Sequence, residues 1–365
     1  MQREVYNMGN HISFNVLHVC DFSAPYRGNF IDSIASLEKY QVGVKNYYLF
    51  PARARQTSAT DWIEALNTEE TVAYIQEKGL IDLIFQFLHI IKKHKINRIV
   101  RHFSDKRIDM IIKCFFDGKQ VVRFFHCTPD PSGNSFKQKM KRFIWKNNKL
   151  VGVSHAIADT VAAEFPGFSV YPVLNAINFE RLDYADEFCK KDGISLLMMG
   201  WNCDIKGVDL AIKAVHALRS KYNLILQVVD GTNEGKAKQL AKEILGEDVD
   251  WLYCLPATNN IATYYNASDI FLSPSRREAF GYANIEAVYC KNSIVLSKVG
   301  GQGELQIEGA YWVEPENIED LAQKIEQAVL ELNLPEKIAQ KERVKAQVIE
   351  QYSLKEWSKS LFDIL

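Results

Sequence analysis

The segment RREAFGYANIEA, residues 276–287, sets two carboxylates, Glu278 and Glu286, around the pair Phe280-Gly281. The apolar run DIFLSPS precedes it and reads as a strand. Glu278 therefore falls in the turn at the strand's carboxyl end, and Glu286 about one turn into the next helix. A carboxylate accepts two hydrogen bonds from a pair of neighbouring hydroxyls. Two carboxylates so placed can hold two diols of one elongated ligand, of the kind that sugars and ribose present. Gly281, near the helix start, leaves backbone N–H groups and the positive end of the helix dipole open to an anion or a hydroxyl oxygen. The same spacing would also result from a helix-terminal Glu278 and a solvated Glu286.

Neighbouring loops carry complementary chemistry. LMMGWNCDIKGVDLAIKAV puts Gly200 after a strand and Lys206-Gly207 before a helix. A lysine there can neutralise a diphosphate as a point charge. LSKVGGQGEL, residues 296–305, ends a strand in a turn with Gly300, Gly301 and Gly303, where bare amides can approach a ligand closely. Other motifs are weaker. The Asp-x-Asp of EDVDW precedes its strand, the wrong end of a parallel sheet for a metal site. GTNEGKA, residues 231–237, is one residue short of a phosphate loop and has Ala237 where a Ser or Thr would bind magnesium. No G-x-G-x-x-G opens a helix and no H-x-x-x-H pair occurs, so neither a dinucleotide nor a metal is expected.

The elements that must position these loops alternate in type. ISFNVLHVC, KNYYLF, RIVRHF, DMIIKCFF, VVRFFHC, KLVGVS and SVYPVLNAI are short apolar runs, with helices expected from Asn29, within 69–95 and over 155–164. After a polar linker, ERLDYADEFCKKDG (180–193), the pattern restarts. Strands ISLLMMG, LILQVVDG, WLYCLP, DIFLSPS, SIVLSK and AYWVEP alternate with helices over 206–220, 235–245, 259–267, 283–290 and 317–332. Such alternation gives parallel sheets built from β-α-β units. The expected fold class is α/β, two doubly wound Rossmann-like domains: residues 1–182, with a C-terminal helix over 350–365 returning to them, and residues 183–349. Ligands then sit at strand carboxyl ends, in the loops after MMG, VVDG, YCLP and LSPS.

A chain of 365 residues, 47% apolar, has material for two cores. The net charge of −1 conceals an asymmetry: residues 1–175 hold 23 Lys/Arg against 16 Asp/Glu, and the remainder 21 against 29. A basic first half suits an anionic membrane or a phosphate-bearing acceptor, although two solvated surfaces can also drift apart in charge. Seven cysteines without C-x-x-C spacing read as a reduced, cytosolic protein. The N-terminus lacks the apolar region of a signal peptide, and the run LIDLIFQFLHII is too short to span a bilayer. NSFKQKMKRFIWKNNK, residues 134–149, carries six basic residues with Phe136, Met140, Phe143 and Ile144 at helical spacing. It would either pack that stripe on the first domain or lie on an anionic membrane.

Taken together, EAFGYANIEA, GWNCDIKG, GGQGE, VLNAIN (173–178), VSHAIADTV (153–161) and the ending YSLKEWSKSLFDIL resemble the retaining nucleotide-sugar glycosyltransferases of the GT-B fold, family 4, with their Glu-x7-Glu motif. The likeness is specific over 195–305 and loose before 150. It implies that Glu286 holds the ribose hydroxyls, that Glu278 contacts the donor sugar, and that Phe280 and Gly281 lie against the sugar and its phosphate. Lys206 would offset charge on the departing diphosphate. Trp201, Asn202, Gly300 and Gly301 would line the donor site, Leu255 and Pro256 would face the base, and Gly28 would sit in the loop DFSAPYRGN over the phosphates. His126, in RFFHCTP, would stand near the transferred sugar, although a histidine at a strand end is often a satisfied structural residue.

The implied activity is metal-independent, cofactor-free transfer of a hexose or related sugar from a nucleoside-diphosphate sugar to a glycan, lipid-linked or protein acceptor. Its place would be surface polysaccharide or glycoconjugate synthesis, in the cytoplasm or at the inner membrane face, without nucleic acid. The chain departs from the pattern where an arginine is usual, at Trp201, leaving Arg27, Arg276 or Arg277 as substitutes. Ala176 and Asn178 replace Gly and Asp, and the first-domain loop has one glycine. Those departures keep open a non-catalytic accessory subunit of a glycosyltransferase complex. An epimerase or phosphorylase on the same fold is a third possibility.

Overall fold

The structure, a computed structural model, describes residues 14–23, 28–54, 66, 71–76, 79–103, 106–129, 136–187, 192–230 and 235–365. The chain forms two compact units, one of residues 1–152, 160–171 and 358–365, the other of 153–159 and 172–357. Arg27, most of the GTNEGKA segment and part of the charged linker lie outside the described residues.

In unit 1 the strands are β1 (Phe14–Cys20), β2 (Val44–Pro51), β3 (Val72–Ile75), β4 (Arg98–His102), β5 (Val121–Phe125), β6 (Lys149–Gly152) and β7 (Ser169–Pro172). They form one sheet in the order β3-β2-β1-β4-β5-β6-β7. The last five residues of β1 are buried, as expected of a strand covered on both faces. One face packs Leu17, Val19, Leu49 and Ile99 against helices Leu80–Lys93 and Lys106–Phe115. The end of the chain is pinned to this unit: Arg98 donates to the Leu365 carbonyl at 3.0 Å, and Gln41 to the Ser358 carbonyl at 3.1 Å.

Unit 2 contains β8 (Ile194–Met199), β9 (Leu224–Val229), β10 (Leu252–Leu255), β11 (Ile270–Ser273), β12 (Ser293–Ser297) and β13 (Tyr311–Val313). Their order is β10-β9-β8-β11-β12-β13. Leu196, Met198, Leu226, Val228 and Leu272 of the sheet share a core with Val208, Ala211, Ile212 and Val215 of helix Val208–Leu218. Strand order reverses between β1 and β4 in one sheet and between β8 and β11 in the other. The crevice outside the strand carboxyl ends at such a reversal is where open parallel sheets bind ligands.

Several local expectations shift. DMIIKCFF is not a strand-like run but belongs to helix Lys106–Phe115, which buries Ile108, Ile111 and Ile112 at helical spacing. Residues 69–95 contain strand β3 as well as a helix. The helix expected over 206–220 is divided by Gly207 into Cys203–Lys206 and Val208–Leu218. A helix over Pro335–Gln351 was not anticipated. The change of unit falls near 172 rather than 182, because the segment 173–182 bonds within unit 2: Asn175 donates to the Val153 carbonyl, Ile177 to that of Tyr352, and Phe179 stacks on Tyr289.

Candidate functional site

The site of unit 2 is built from the loops that follow the two strands at the reversal. After β8, the Asn202 side chain caps a single helical turn by accepting from the Ile205 N–H at 3.1 Å, which sets Lys206 at the end of that turn. Gly207 follows with φ 67°, and a Cβ there would meet the Pro274 carbonyl at 2.1 Å. Only glycine combines that backbone with that approach, so the loop after β8 is pressed onto the loop after β11. Lys206 Nζ then donates to Glu278 Oε2 at 2.5 Å. Both side chains are largely shielded, with 25% and 17% of their surfaces exposed. The other Glu278 oxygen accepts from the Ala279 N–H at 3.1 Å.

The Gly-rich turn backs this pair. The Gly301 N–H donates to the Glu278 carbonyl at 2.9 Å. Cβ atoms on Gly300 and Gly301 would fall 2.2 Å and 2.0 Å from the carbonyl oxygens of Glu278 and Ala279. Gln302 beside them is fully buried. Its Nε2 donates to the Ser273 and Ser297 carbonyls, and its Oε1 accepts from Ser273 Oγ and Asn284 Nδ2, so one amide ties β11, β12 and helix Tyr282–Tyr289 together. Phe280 is buried with its ring edge-on to Tyr282 and Tyr352. Gly281 enters the helix at φ 96°.

Glu286 is not the solvated helical glutamate of the simpler reading. It is buried, accepts from the Tyr265 hydroxyl at 2.9 Å, and has Arg181 at 3.8 Å. Burial and then the Glu286 charge push the Tyr265 phenol well above its usual value, so it remains a donor. Arg276 holds Asp209 through two bonds of 2.9 and 2.8 Å and Glu316 at 2.8 Å. That bidentate pairing removes it as a substitute diphosphate cation. Arg277 is exposed. Trp201 is 46% exposed. Leu255 is half-buried and Pro256 exposed, its carbonyl accepting from the Tyr264 hydroxyl at 3.2 Å.

Gly28 and His126 belong to unit 1. Gly28 starts helix Gly28–Ala35 at φ 60°. His126 follows β5, with Phe103 stacked on it at 4.3 Å and Phe30 edge-on at 5.5 Å. Phe103 itself has φ 60°, a strained conformation for a bulky residue. Behind His126 stand two further histidines, His102 at 3.3 Å and His18 at 3.2 Å from His102, and Asn46 at 3.0 Å from His18. Burial lowers the pKa of His18 to about 4, that of His126 to about 3 and that of His102 well below its usual value. All three imidazoles are neutral near pH 7.

The structure thus brings Lys206, Glu278, Gly300 and Gly301 together and places Phe280, Gly281 and Glu286 on the adjoining turn and helix. Arg181, Gln302, His18, His102 and Asn46 were not singled out from the sequence. The two histidines lie in the buried strands β1 and β4, and only the sheet register brings them together. Among the described residues no group of three His, Cys, Asp or Glu is arranged to hold a metal.

Comparison with known proteins bears on the fold and on residues 186–345. Residues 186–345 match the family of glycosyl transferases group 1. A curated relative, the N,N'-diacetylbacillosaminyl-diphospho-undecaprenol alpha-1,3-N-acetylgalactosaminyltransferase of Campylobacter jejuni, is 32% identical over 142 residues, 37% of this chain and 36% of its own. The chain spans about half the length of the curated relatives it matches first. In fold, a glycosyltransferase of Rickettsia africae superposes with a TM-score of 0.77 at 19% identity, covering 97% of this chain and 98% of its own. HepE of Anabaena, solved with UDP and glucose, does so with 0.74 at 12%, covering 96% and 98%. The chain has the GT-B fold, and its residues 186–345 are similar to the glycosyl transferases group 1 family.

Proposed function

We propose that the protein is a retaining, metal-independent glycosyltransferase that moves a hexose or related sugar from a nucleoside-diphosphate sugar to a glycan or lipid-linked acceptor in surface polysaccharide or glycoconjugate synthesis. The observation that carries this reading is the Lys206–Glu278 pair, set at the β8–β11 reversal of a domain that matches the group 1 family and backed by the Gly301 N–H. Without donor, the pair neutralises itself. An arriving diphosphate would draw Lys206 away as its counter-charge, and Glu278 would be released to accept from sugar hydroxyls. Lys206 would then stabilise the charge that grows on the leaving diphosphate. Glu286, oriented by Tyr265 and Arg181, retains acceptor capacity for a ribose diol. The Campylobacter relative is named for a diphospho-undecaprenol acceptor, which favours a lipid-linked acceptor here.

A melting-point panel with UDP, GDP, dTDP and ADP, without metal, tests this. A nucleotide at 100 times its Kd should stabilise the protein by about 2.7 kcal/mol. The preferred one should raise the wild-type melting point more than that of Lys206→Ala. The sequestration of Arg276 and the exposed Trp201 favour the accessory-subunit reading as the second. No shift with any nucleotide would sink the transferase reading and leave that one.

A further inference from the structure

The polar line beneath His126 crosses one face of the unit 1 sheet, at the reversal between β1 and β4. His18 on β1 pairs in register with Tyr48 of β2, and His102 on β4 with Cys20 of β1 and Phe124 of β5. On that face β1 otherwise carries Phe14, Val16 and Cys20, and both histidines are fully buried. Buried polar groups in such a place must find partners. Here they find one another, in a single file that can be followed to its fixed end.

That end is a main-chain carbonyl. Ser358 C=O can only accept, so the Gln41 group beside it, at 3.1 Å, is the amide NH2. The Gln41 oxygen then faces Asn46 Nδ2 at 3.5 Å, which turns the Asn46 oxygen toward His18 Nε2 at 3.0 Å. A neutral imidazole has one donor and one acceptor nitrogen. His18 Nε2 must donate to Asn46, so His18 Nδ1 accepts. His102 Nε2 must donate to it at 3.2 Å, so His102 Nδ1 accepts in turn. His126 Nε2 donates to that nitrogen at 3.3 Å. Every step is forced by the one before it.

We propose that Gln41, Asn46, His18 and His102 are positioning residues that hold His126 as the Nε2–H tautomer, leaving its Nδ1 as a hydrogen-bond acceptor for a ligand hydroxyl. His126 Nδ1 has no hydrogen-bond partner among the described residues, and stacking on Phe103 with Phe30 edge-on fixes the ring plane. The polarity matters chemically: a bare Nδ1 accepts a hydrogen bond from a hydroxyl, whereas the other tautomer would offer an N–H to an oxyanion. The neutral state required for this file follows from the full burial of His18 and His102 and from the apolar rings of Phe103, Phe30 and Phe124 around the partly buried His126.

The tautomer can be read without substrate, so its outcome is separate from that of the nucleotide panel. Protein labelled with ¹⁵N-histidine is examined by long-range ¹H–¹⁵N correlation at pH 7, with signals assigned by loss in His126→Gln and His102→Gln. The expected result is His126 protonated at Nε2 and bare at Nδ1. His102→Gln can still accept from His126 through its amide oxygen and should preserve that state. His102→Leu cannot, and should give His126 a mixture of both tautomers. A wild-type His126 protonated at Nδ1, or doubly protonated, overturns the proposal, as does a His126 signal unchanged in a folded His102→Leu protein. If His102→Leu does not fold, the wild-type and His102→Gln spectra still decide.

Discussion

Residue types announced part of this site and concealed the rest. Glu278 and Lys206 were singled out because each stands in a loop after a strand's carboxyl end, and Glu286 because its spacing sets it in the helix that follows Glu278. His18 and His102 were not, because one histidine in a strand says nothing until the sheet register sets it beside another. Their burial has a cost that depends on pH. Unfolded, these imidazoles bind a proton near pH 6.5; folded, His18 does so only near 4 and His126 near 3. Between pH 6.5 and about 4 the unfolded state therefore binds more protons, and stability falls as the pH is lowered, with up to about 1.4 kcal/mol lost per pH unit for each such group. Above pH 7 the histidines contribute no slope. Urea midpoints at pH 7 and pH 5 should differ clearly, and His18→Gln should shrink the difference; equal midpoints in the wild type would show that the three rings protonate freely in the folded state. The glycine at 301 makes a different demand. An alanine Cβ at 2.0 Å from the Ala279 carbonyl would force the Gly-rich turn off the Glu278 loop. Overpacking of this kind costs about 1–3 kcal/mol. Gly301→Ala should lose that much in denaturant unfolding, and a loss below about 0.5 kcal/mol would mean that the two loops are not locked together.

Elements were legible where one periodicity ruled. The alternation of strand and helix followed from pattern, and with it the six strands of the second sheet, whereas β3 of the first was hidden in a segment read as helical. Helix Lys106–Phe115 was misread because Ile111, Ile112, Cys114 and Phe115 crowd into a short apolar run that also suits a strand. Helix Pro335–Gln351 gave little signal because it buries Val344 and Val348 and otherwise faces solvent. The helix Phe136–Ile144 is the instructive case. Packing of its apolar stripe was one expectation, yet Phe136, Met140 and Phe143 are exposed, and the buried residues there are Gln138 and Trp145. Lys137 and Lys139 are exposed beside them, and Lys113 lies over the Phe143 ring at 5.5 Å. Apolar side chains ringed by lysine suit an anionic bilayer surface, where each basic residue near the surface contributes about 1 kcal/mol. No helix among the described residues is long and apolar enough to cross a membrane. The protein should float with vesicles containing phosphatidylglycerol but not with pure phosphatidylcholine, and added salt or Phe136→Ser with Phe143→Ser should release it. Equal recovery of that double variant would remove this helix as the contact.

At the scale of the whole molecule, the two halves differ in how far their chemistry can be read. The basic excess lies in residues 1–175, while the family match and most of the expected donor residues lie in 186–345. On the proposed function, a diphosphate and a ribose would demand a cation, a carboxylate and bare amides, and the second unit carries Lys206, Glu278, Glu286 and the Gly301 N–H. It follows that nucleotide binding should be read out locally. Hydrogen exchange with and without the nucleotide selected by the melting-point panel should slow in 200–207, 276–281 and 298–304. These are the loops in which Lys206, Glu278 and the Gly301 N–H are already hydrogen-bonded. Slowing confined instead to unit 1 segments, such as 28–35 or 98–103, would move the nucleotide to the β1–β4 reversal and deny Lys206 its role. Slowing in the unit 2 loops that disappears in Lys206→Ala would assign the phosphate end of the donor to that lysine.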